Sequence, residues 1–286
     1  MKLLRYGDIG NEKPGLLDVS GQIRDLSGII RDITPATLSP VALQKIALAD
    51  PLSLPLVDGK PRIGPCVSGV PKLVGVGLNY SDHAKETGAK TPKEPVLFLK
   101  AVSAISGPND DIVIPQASHK TDHEVELAVV IGTKASYVSV QNAPIYIAGY
   151  CVANDVSERE FQMERGGNWS KGKSADSFAP IGPYLVTAEE VPHPQALHLF
   201  CEVNGVRVQD SNTSEMIFPV YELVSYISQF MTLMPGDIIL TGTPAGVGMG
   251  AVPPRFLKPG DVVRVSIAGL GSQEQNVVTY IPALHV

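Results

Sequence analysis

The sequence predicts a β-rich protein of the mixed α/β class, with a sandwich-like or barrel-like body. Many short apolar segments separated by turn residues predict strands, whereas few segments show the three-to-four-residue periodicity of a long helix. The 27 glycines and 24 prolines are scattered along the 286 residues, which indicates many turns and irregular connections. At 44% hydrophobic and 18% charged residues, the chain has enough apolar side chains for a substantial core. Strands and helices do not alternate, so βαβ units are not predicted.

The first 70 residues are predicted to form a small α+β domain. KLLRYG and PGLLDVSGQIRDLSG have the composition of strands broken by Gly and Asp turns, which predicts a short hairpin. Residues 35–54 predict a helix with Ser39 as N-cap and Pro40 at its first position. A proline- and glycine-rich stretch follows, so we place a domain boundary near residue 70 and assign 71–286 to a larger domain.

The larger domain begins at the strand KLVGVGLNY and contains one convincing long helix. Residues 219–234 (PVYELVSYISQFMTLM) carry apolar side chains every three or four positions, and Pro219 suits the first turn. The other apolar segments predict strands, namely VLFLK, DIVIP, HEVELAVVIG, IYIAGYCVAND, APIGPYLVT, LHLFCEVNGV, GDIILTG and GDVVRVSIAGLG.

Charge and composition exclude several classes of protein. The formal net charge is −6 and no Lys/Arg-rich stripe is present, so we expect no nucleic-acid partner. The N-terminus lacks the apolar core and cleavage site of a signal peptide, and no segment approaches about 20 apolar residues, so we expect a cytoplasmic protein without membrane contact. Three widely spaced cysteines without a CxxC pair predict reduced thiols.

Three acidic residues are candidates for a metal site. In HEVELAVVIG, Glu124 and Glu126 lie two positions apart on a strand and project to the same face. Two adjacent carboxylates in an apolar strand repel each other unless a cation neutralises them, and such oxygen ligands suit Mg²⁺, Mn²⁺ or Ca²⁺. Asp155 ends another apolar strand and would complete the ligand set. A solvent-exposed strand face and a turn aspartate give the same patterns, so both interpretations remain open from these residues alone.

His83 and Glu86 form a candidate acid–base pair. If SDHAKE is helical, the two side chains stand one turn apart on one face, where a carboxylate orients the imidazole and raises its basicity. A solvated helix with a lone histidine is the alternative. Lys173, in a Gly/Ser-rich loop, could stabilise developing negative charge, although most loop lysines are simply solvated.

Other motifs exclude common ligands. TGTPAGVG at 241–248 has no GxxxxGK[ST] pattern, which excludes a P-loop, but its amides and Thr243 could line a pocket. GVG at 75–77 lacks the third glycine of a dinucleotide-binding fingerprint and predicts only a tight strand end. His119 and His123 lie in a loop rather than on a helix, so we expect them to face solvent rather than bind zinc.

Taken together, these segments resemble the fumarylacetoacetate hydrolase superfamily. GLNYSDHAKE, DHEVELAVVIG, GYCVANDVSERE, GKSADSFAPIGP and GDIILTGTPAGVG occur in family order and at family-like spacings over about residues 70–270. The pattern is closer to that of the small bacterial acylpyruvate hydrolase-type members than to that of the longer fumarylacetoacetate hydrolases. The resemblance implies a family-type β-sandwich roll in a catalytic domain at 71–286, a homodimer, and Mg²⁺ or Mn²⁺ in the pocket.

The resemblance also implies roles for individual residues. The metal ligands would be Glu124, Glu126 and Asp155. Catalysis would fall to a dyad of His83 and Glu86, in a segment (80–95) that often acts as a mobile lid, and to Lys173. Substrate contacts are implied for Arg159, Gln162 and Thr243.

The implied reaction is hydrolysis of a C–C bond in a 2,4-dioxo acid, such as an acylpyruvate, fumarylpyruvate or a 2,4-diketo-3-deoxy sugar acid. Oxaloacetate decarboxylation, ureidoglycolate cleavage to urea and glyoxylate, and isomerisation of a hydroxy-diene-dioate need the same parts. A non-catalytic metal-binding member is a further alternative. Specificity for the substrate's tail is expected to depend on loops 86–95, 161–172 and 207–215.

Overall fold

In the described part of the chain, the strands form two main sheets and a short two-stranded ribbon, which confirms the β-rich mixed α/β class. A computed structural model describes residues 1–88 and 90–282. In these residues the strands are β1 (Lys2–Tyr6), β2 (Lys13–Leu17), β3 (Ile23–Asp25), β4 (Ile63–Gly64), β5 (Leu73–Gly77), β6 (Val96–Lys100), β7 (Ile105–Ser106), β8 (Ile112–Ile114), β9 (Thr121–Asp122), β10 (Val125–Ile131), β11 (Ile147–Asn154), β12 (Ser157–Glu158), β13 (Ala179–Thr187), β14 (His198–Val203), β15 (Val206–Asn212), β16 (Ile238–Leu240), β17 (Val262–Ile267) and β18 (Gly271–Thr279). The helices are α1 (Pro40–Ala47), α2 (Ser81–Thr87), α3 (Trp169–Lys173) and α4 (Val220–Phe230).

The larger sheet has the order β3-β2-β1-β13-β11-β10-β16-β5-β6, with β4 beside β1 and β7 beside β13. Every residue of β10 and of β11 is buried, because both faces of these central strands are covered. Most neighbours are antiparallel, but β16 runs parallel to β5. The strand β16 therefore joins the β10–β11 pair to the antiparallel β5–β6 pair, and this junction positions the site described below.

The second sheet has the order β15-β14-β17-β18-β8 and packs on β10, β11 and β13 of the larger sheet. One continuous apolar cluster fills the space between the layers and extends from Leu3 to Val277. Two packed sheets around one core are the sandwich that the sequence predicts.

The N-terminal strands extend the larger sheet. β1 pairs with β13, with Lys2 opposite Val186 and Leu3 opposite Leu185. This pairing joins the first 70 residues to the rest of the fold through backbone hydrogen bonds. The domain boundary near residue 70 stays a prediction.

The predicted helix at 35–54 is shorter in the structure. Ser39 caps α1 as predicted, since its hydroxyl accepts the Ala42 N–H at 3.3 Å, and Pro40 is its first residue. The helix ends at Ala47, however, and a separate 3₁₀ turn follows at Pro51–Ser53. Pro51 has no N–H to continue the helical hydrogen bonds, which explains the interruption.

The predicted helix at 219–234 is also trimmed. α4 ends at Phe230, because Met231 adopts an extended conformation (φ −148°, ψ 140°). Its buried face carries Val220, Leu223, Val224 and Ile227, as the apolar periodicity predicts. Across the described ranges, each helix falls short of the length or the apolar character needed to cross a bilayer.

Candidate metal and active site

Three buried carboxylates meet at one end of the β10–β11 pair. Glu124 directly precedes β10, Glu126 lies in it, and Asp155 directly follows β11. Because Val125 pairs with Asn154 in the antiparallel register, the start of β10 lies beside the end of β11. One oxygen from each carboxylate lies within 4.8 Å of the others. The three acidic residues that the sequence offers as metal-ligand candidates therefore form one acidic cluster.

Buried cations surround this cluster. The Lys173 ammonium donates to Glu124 Oε2 and to Asp155 Oδ2, each at 2.7 Å. Arg159 Nη1 lies 2.7 Å from Glu124 Oε1, and Lys100 donates to Asp155 Oδ1 and, at 2.8 Å, to the Phe178 carbonyl. All three cations are almost fully buried, so their attraction to the carboxylates is weakly screened.

The electrostatics of the cluster distinguish its members. Burial would raise the pKa of Glu124, but the charges of Lys173 and Arg159 outweigh it and hold that pKa well below the usual range. Burial would likewise lower the pKa of Lys173, but the charges of Asp155 and Glu124 raise it, so the lysine stays an ammonium. For Lys100, burial dominates and lowers the pKa, although Asp155 opposes the change.

Glu126 is the carboxylate that a metal ion would stabilise most. Within residues 1–88 and 90–282 it forms no ion pair, and its Oε2 accepts only the Gly242 N–H at 2.8 Å. Burial, followed by the negative charges of Asp155 and Glu124, raises its pKa well above the usual value. A buried carboxylate disfavoured as an anion, beside two other oxygen ligands, fits a hard divalent cation.

His83 and Glu86 lie on α2, one turn apart as predicted. His83 Nδ1 is 3.2 Å from Glu86 Oε2, and the Gly246 N–H donates to Glu86 Oε1 at 2.9 Å. The imidazole is buried and faces the same cavity as Glu124 and Glu126. The predicted segment 80–95 is helical up to residue 87, and Ala89 within it lies outside the described residues.

Two contacts hold α2 in this position. Asp82 Oδ2 accepts from the Ser211 hydroxyl at 2.7 Å, and Ser81 donates to Glu215 at 2.6 Å. Both partners belong to or follow β15, so the second sheet supports the helix that carries the dyad.

The three predicted substrate-contacting residues also reach this cavity. Arg159 Nη1 donates to Gln162 Oε1 at 3.1 Å, and Gln162 is buried in a short π-helical turn. The Thr243 hydroxyl donates to the Val125 carbonyl at 3.0 Å and accepts from Gln209 at 2.8 Å. These bonds fix all three side chains at the cavity wall.

The cavity encloses about 300 Å³. Seven of the nine predicted site residues line it: His83, Glu124, Glu126, Arg159, Gln162, Lys173 and Thr243. The other two, Glu86 and Asp155, contact them directly. The arrangement combines three oxygen ligands that fit a hard cation, an imidazole–carboxylate pair and a buried ammonium, which together suit acid–base chemistry on a chelating, anionic substrate.

Sequence reasoning missed two buried residues. Lys100 ends β6 and is bonded to Asp155. Asp122 accepts from Arg159 Nε at 2.9 Å and from the backbone amides of Gly248 (2.7 Å) and Met249 (3.0 Å). The signal available for Lys100 was a lysine inside the apolar strand VLFLK, and for Asp122 a third acid beside HEVE.

The expectation that both His119 and His123 face solvent is wrong for His123. His119 is exposed, but His123 is buried, with Nε2 3.2 Å from the Gly246 carbonyl oxygen. The loop after β16 covers it, and with Val247 and Leu257 it lines a separate apolar cavity of about 160 Å³.

The sequence profile described as fumarylacetoacetate (FAA) hydrolase C-terminal matches residues 72–278. The chain belongs to the fumarylacetoacetate hydrolase family. A Burkholderia cenocepacia relative, whose name places it among hydrolases without naming a substrate, is 58% identical over 276 residues, 96% of this chain and 98% of its own length.

Two solved structures of this family share the fold over nearly the whole chain. The 2-hydroxyhepta-2,4-diene-1,7-dioate isomerase from Mycobacterium marinum has a TM-score of 0.74 at 32% identity, covering 99% of this chain and 100% of its own. The maleylpyruvate hydrolase from Sphingobium sp. SYK-6, in complex with manganese(II) and pyruvate, has a TM-score of 0.82 at 26% identity. The match covers 98% of this chain and 100% of the hydrolase chain. Hydrolases and isomerases thus both occur on this fold.

Proposed function

We propose that this chain is a divalent-metal-dependent hydrolase that cleaves a C–C bond in a 2,4-dioxo acid. One observation carries the proposal: the acidic cluster of Glu124, Glu126 and Asp155 and the His83–Glu86 pair open onto one cavity. A 2-oxo acid presents a carboxylate and an adjacent carbonyl oxygen, which suit a hard cation. An acid–base pair beside it suits the activation of water.

The charges around the cavity suit an anionic substrate when a metal ion is bound. The site holds five carboxylates and three cations, namely Glu86, Asp122, Glu124, Glu126, Asp155, Lys100, Arg159 and Lys173. Two acidic groups are therefore in excess, and a bound divalent ion would balance their charge. The positive charges of that ion and of Lys173 would then lie at the cavity wall, where they would attract a substrate carboxylate.

Glu124, Glu126 and Asp155 would hold Mg²⁺ or Mn²⁺, with Ca²⁺ as a possible substitute in binding assays. When bound, the ion would supply Lewis-acid polarisation of the substrate's 2-oxo acid group. The manganese and pyruvate in the maleylpyruvate hydrolase from Sphingobium support this choice of ion and of product.

The protein's own residues would perform the proton and charge transfers. His83, oriented by Glu86, would take a proton from a water molecule while the oxygen of that water attacks the distal (C4) carbonyl. The C3–C4 bond then breaks, giving a carboxylic acid and the enolate of pyruvate, and the histidine returns the proton to C3. The Lys173 ammonium would stabilise the negative charge of the enolate, and Arg159, Gln162 and Thr243 would position the substrate.

Isomerisation of a hydroxy-diene-dioate is the second candidate. The isomerase from Mycobacterium marinum shares the fold, and the reaction needs only the movement of a proton between carbons, for which His83 is suitably placed. The two candidates differ in whether a carbon–carbon bond is cleaved.

A substrate screen with and without metal tests the proposal. We expect Mg²⁺ or Mn²⁺ to support pyruvate release from an acylpyruvate, fumarylpyruvate or 2,4-diketo-3-deoxy sugar acid, and EDTA to abolish it. Oxaloacetate, ureidoglycolate and a hydroxy-diene-dioate belong in the same screen, because their turnover would replace the proposal by one of the alternatives.

Glu126→Gln should abolish both metal binding and turnover, whereas Glu222→Gln on the exposed side of α4 should change neither. An activity unaffected by EDTA and by Glu126→Gln would contradict the assignment. We also propose a homodimer, which size-exclusion chromatography with light scattering tests directly.

A further inference from the structure

The cavity has an apolar part that the proposed chemistry does not use. Besides the polar residues described above, its lining consists of apolar side chains and the backbone of Gly77: Val76, Leu78, Phe98, Met163, Trp169 and Met249. We refer to Phe98 and Trp169 as the aromatic wall. Their ring centroids lie 5.7 Å apart at an angle of 55°, within the range of favourable aromatic pairs.

Two glycines of β5 make room for the aromatic wall. A Cβ at Gly75 would lie 2.2 Å from the Phe98 ring, and a Cβ at Gly77 would lie 2.2 Å from the Trp169 ring. Neither glycine has a positive φ, so their backbone conformation suits any residue. What the wall requires at these positions is the absence of a side chain. The two glycines of the GVG motif at 75–77 thus leave the space that the Phe98 and Trp169 rings occupy in the site.

The aromatic wall begins beside the acidic cluster. The Lys173 ammonium lies 5.2 Å from the centre of the Phe98 ring and is bonded to Glu124 and Asp155. A substrate whose 2-oxo acid end lies at the acidic cluster therefore has the ring of Phe98 within a few ångströms. Trp169 packs against Phe98 and lines the same cavity.

The ammonium and guanidinium groups in the described part of the cavity lining are already paired with carboxylates. Among the lining residues that the structure describes, the guanidinium and ammonium groups belong to Arg159 and Lys173. Arg159 is paired with Asp122 and Glu124, and Lys173 with Glu124 and Asp155. A carboxylate on the substrate's tail would lose its hydration against aromatic and thioether groups without gaining a counter-charge, which is costly.

We propose that this site selects substrates with an apolar acyl tail, alkyl or aryl, over those with a distal carboxylate or a polyhydroxyl tail, and that Phe98 and Trp169 determine this specificity. The inference rests on the proposed function for the position of the 2-oxo acid end. It narrows the substrate class to acylpyruvates whose acyl group is a hydrocarbon.

Turnover of a matched substrate series tests the proposal. With Mg²⁺ present, we expect kcat/KM for hexanoylpyruvate or benzoylpyruvate to exceed that for fumarylpyruvate by at least about tenfold, the scale of discrimination expected of an apolar pocket. Equal or better turnover of fumarylpyruvate would overturn the specificity while leaving the proposed hydrolysis intact.

Two glycine-to-alanine variants, one beside the aromatic wall and one remote from it, test the role of the wall. Gly77→Ala places a methyl group against Trp169 and should lower kcat/KM for the apolar-tailed substrates at least about fivefold more than it lowers kcat/KM for acetylpyruvate. Gly28→Ala is the control, because a Cβ there meets nothing within 4 Å. If Gly77→Ala lowers kcat/KM for acetylpyruvate and for benzoylpyruvate by the same factor, the aromatic wall does not determine specificity for the acyl tail.

A binding experiment decides the question without turnover. Trp169 is the single tryptophan of the sequence, so its fluorescence reports ligands that reach the aromatic wall. In Mg²⁺, 4-phenyl-2-oxobutanoate should change this fluorescence and bind at least about tenfold more tightly than 2-oxoadipate, which carries a carboxylate on its tail. Tighter binding of 2-oxoadipate, or no binding of either acid, would overturn the proposal even if no acylpyruvate is cleaved.

Discussion

Lys173 and Glu124 are joined by a 2.7 Å bond between the ammonium and Oε2, in a place where both side chains are almost fully buried. The same ammonium is bonded to Asp155, so two members of the acidic cluster share one cation. This double contact predicts opposite effects on catalysis and on metal binding when the lysine is removed.

Lys173→Met should lower kcat/KM at least about 100-fold, because the developing enolate loses a buried positive charge. The same change should tighten Mg²⁺ binding, since Glu124 and Asp155 lose their counter-ion. Steady-state kinetics and calorimetric titration measure the two effects. Lys171→Met, on the exposed side of α3, is the control and should behave as the wild type. Weaker metal binding by Lys173→Met would contradict this account.

Asp122→Asn should destabilise the fold and impair catalysis together. Asp122 bonds Arg159 and the amides of Gly248 and Met249, so the substitution leaves a buried guanidinium short of one carboxylate. We expect a loss of about 1–3 kcal/mol in the free energy of unfolding, measured by urea denaturation. Asp58→Asn at an exposed position should leave this free energy unchanged. Wild-type stability in Asp122→Asn would show that the network contributes little.

Glu86→Gln should remove the negative charge beside His83 while leaving the position of helix α2 unchanged. A glutamine can still accept the Gly246 N–H, so α2 should keep its place, but the imidazole loses its carboxylate partner. We expect kcat to fall about 100-fold with little change in KM or in the Kd for Mg²⁺. Glu94→Gln is the matched control, because the exposed Glu94 carboxylate accepts from the Tyr226 hydroxyl at 2.7 Å. A fall in metal affinity of similar size would point to a structural role instead.

The stability of the metal-free protein should depend on pH through Glu126. Burial and the charges of Asp155 and Glu124 raise its pKa in the folded protein above the ordinary value of 4.5. The folded state therefore holds this proton more tightly than the unfolded state does. The stabilisation is complete below the ordinary pKa and is lost as the pH rises through the raised value.

In EDTA, we expect the unfolding free energy of the wild type, relative to Glu126→Gln, to fall as the pH rises from about 5 to about 8. Saturating Mg²⁺ should reverse this trend, because the cation stabilises the ionised carboxylate. Urea denaturation across this range measures both. A constant difference between the two proteins would show that Glu126 does not titrate in this way.

The acidic cluster was predictable because its geometry is local. Glu124 and Glu126 share a strand face by their spacing alone, and α2 places His83 beside Glu86 by helical spacing. The approach of Asp155 to the two glutamates depends on the register of β10 against β11, which the residues themselves do not specify. The family resemblance indicated that Asp155 belongs to the same site.

Lys100 and Asp122 were missed because their partners are distant in the sequence. Lys100 reaches Asp155 only because β6 joins the larger sheet beside β5, and Asp122 binds amides in the loop after β16. The sequence around each residue resembles an ordinary strand end. His123 was misjudged for the same reason, since the segment that buries it lies more than 100 residues away.

The position of β16 between β10 and β5 has a consequence for how the protein matures. Strand β16 donates and accepts backbone bonds with segments that precede it by more than 100 residues, and it is followed by Gly242, whose amide holds Glu126. We therefore expect the acidic cluster to take its final arrangement only after synthesis has reached residue 242. On refolding, we expect uptake of Mn²⁺ to lag behind the recovery of secondary structure. Ion uptake would then report the pairing of β16 with β10 and β5, which lie more than 100 residues earlier in the chain, and not the initial collapse of the chain.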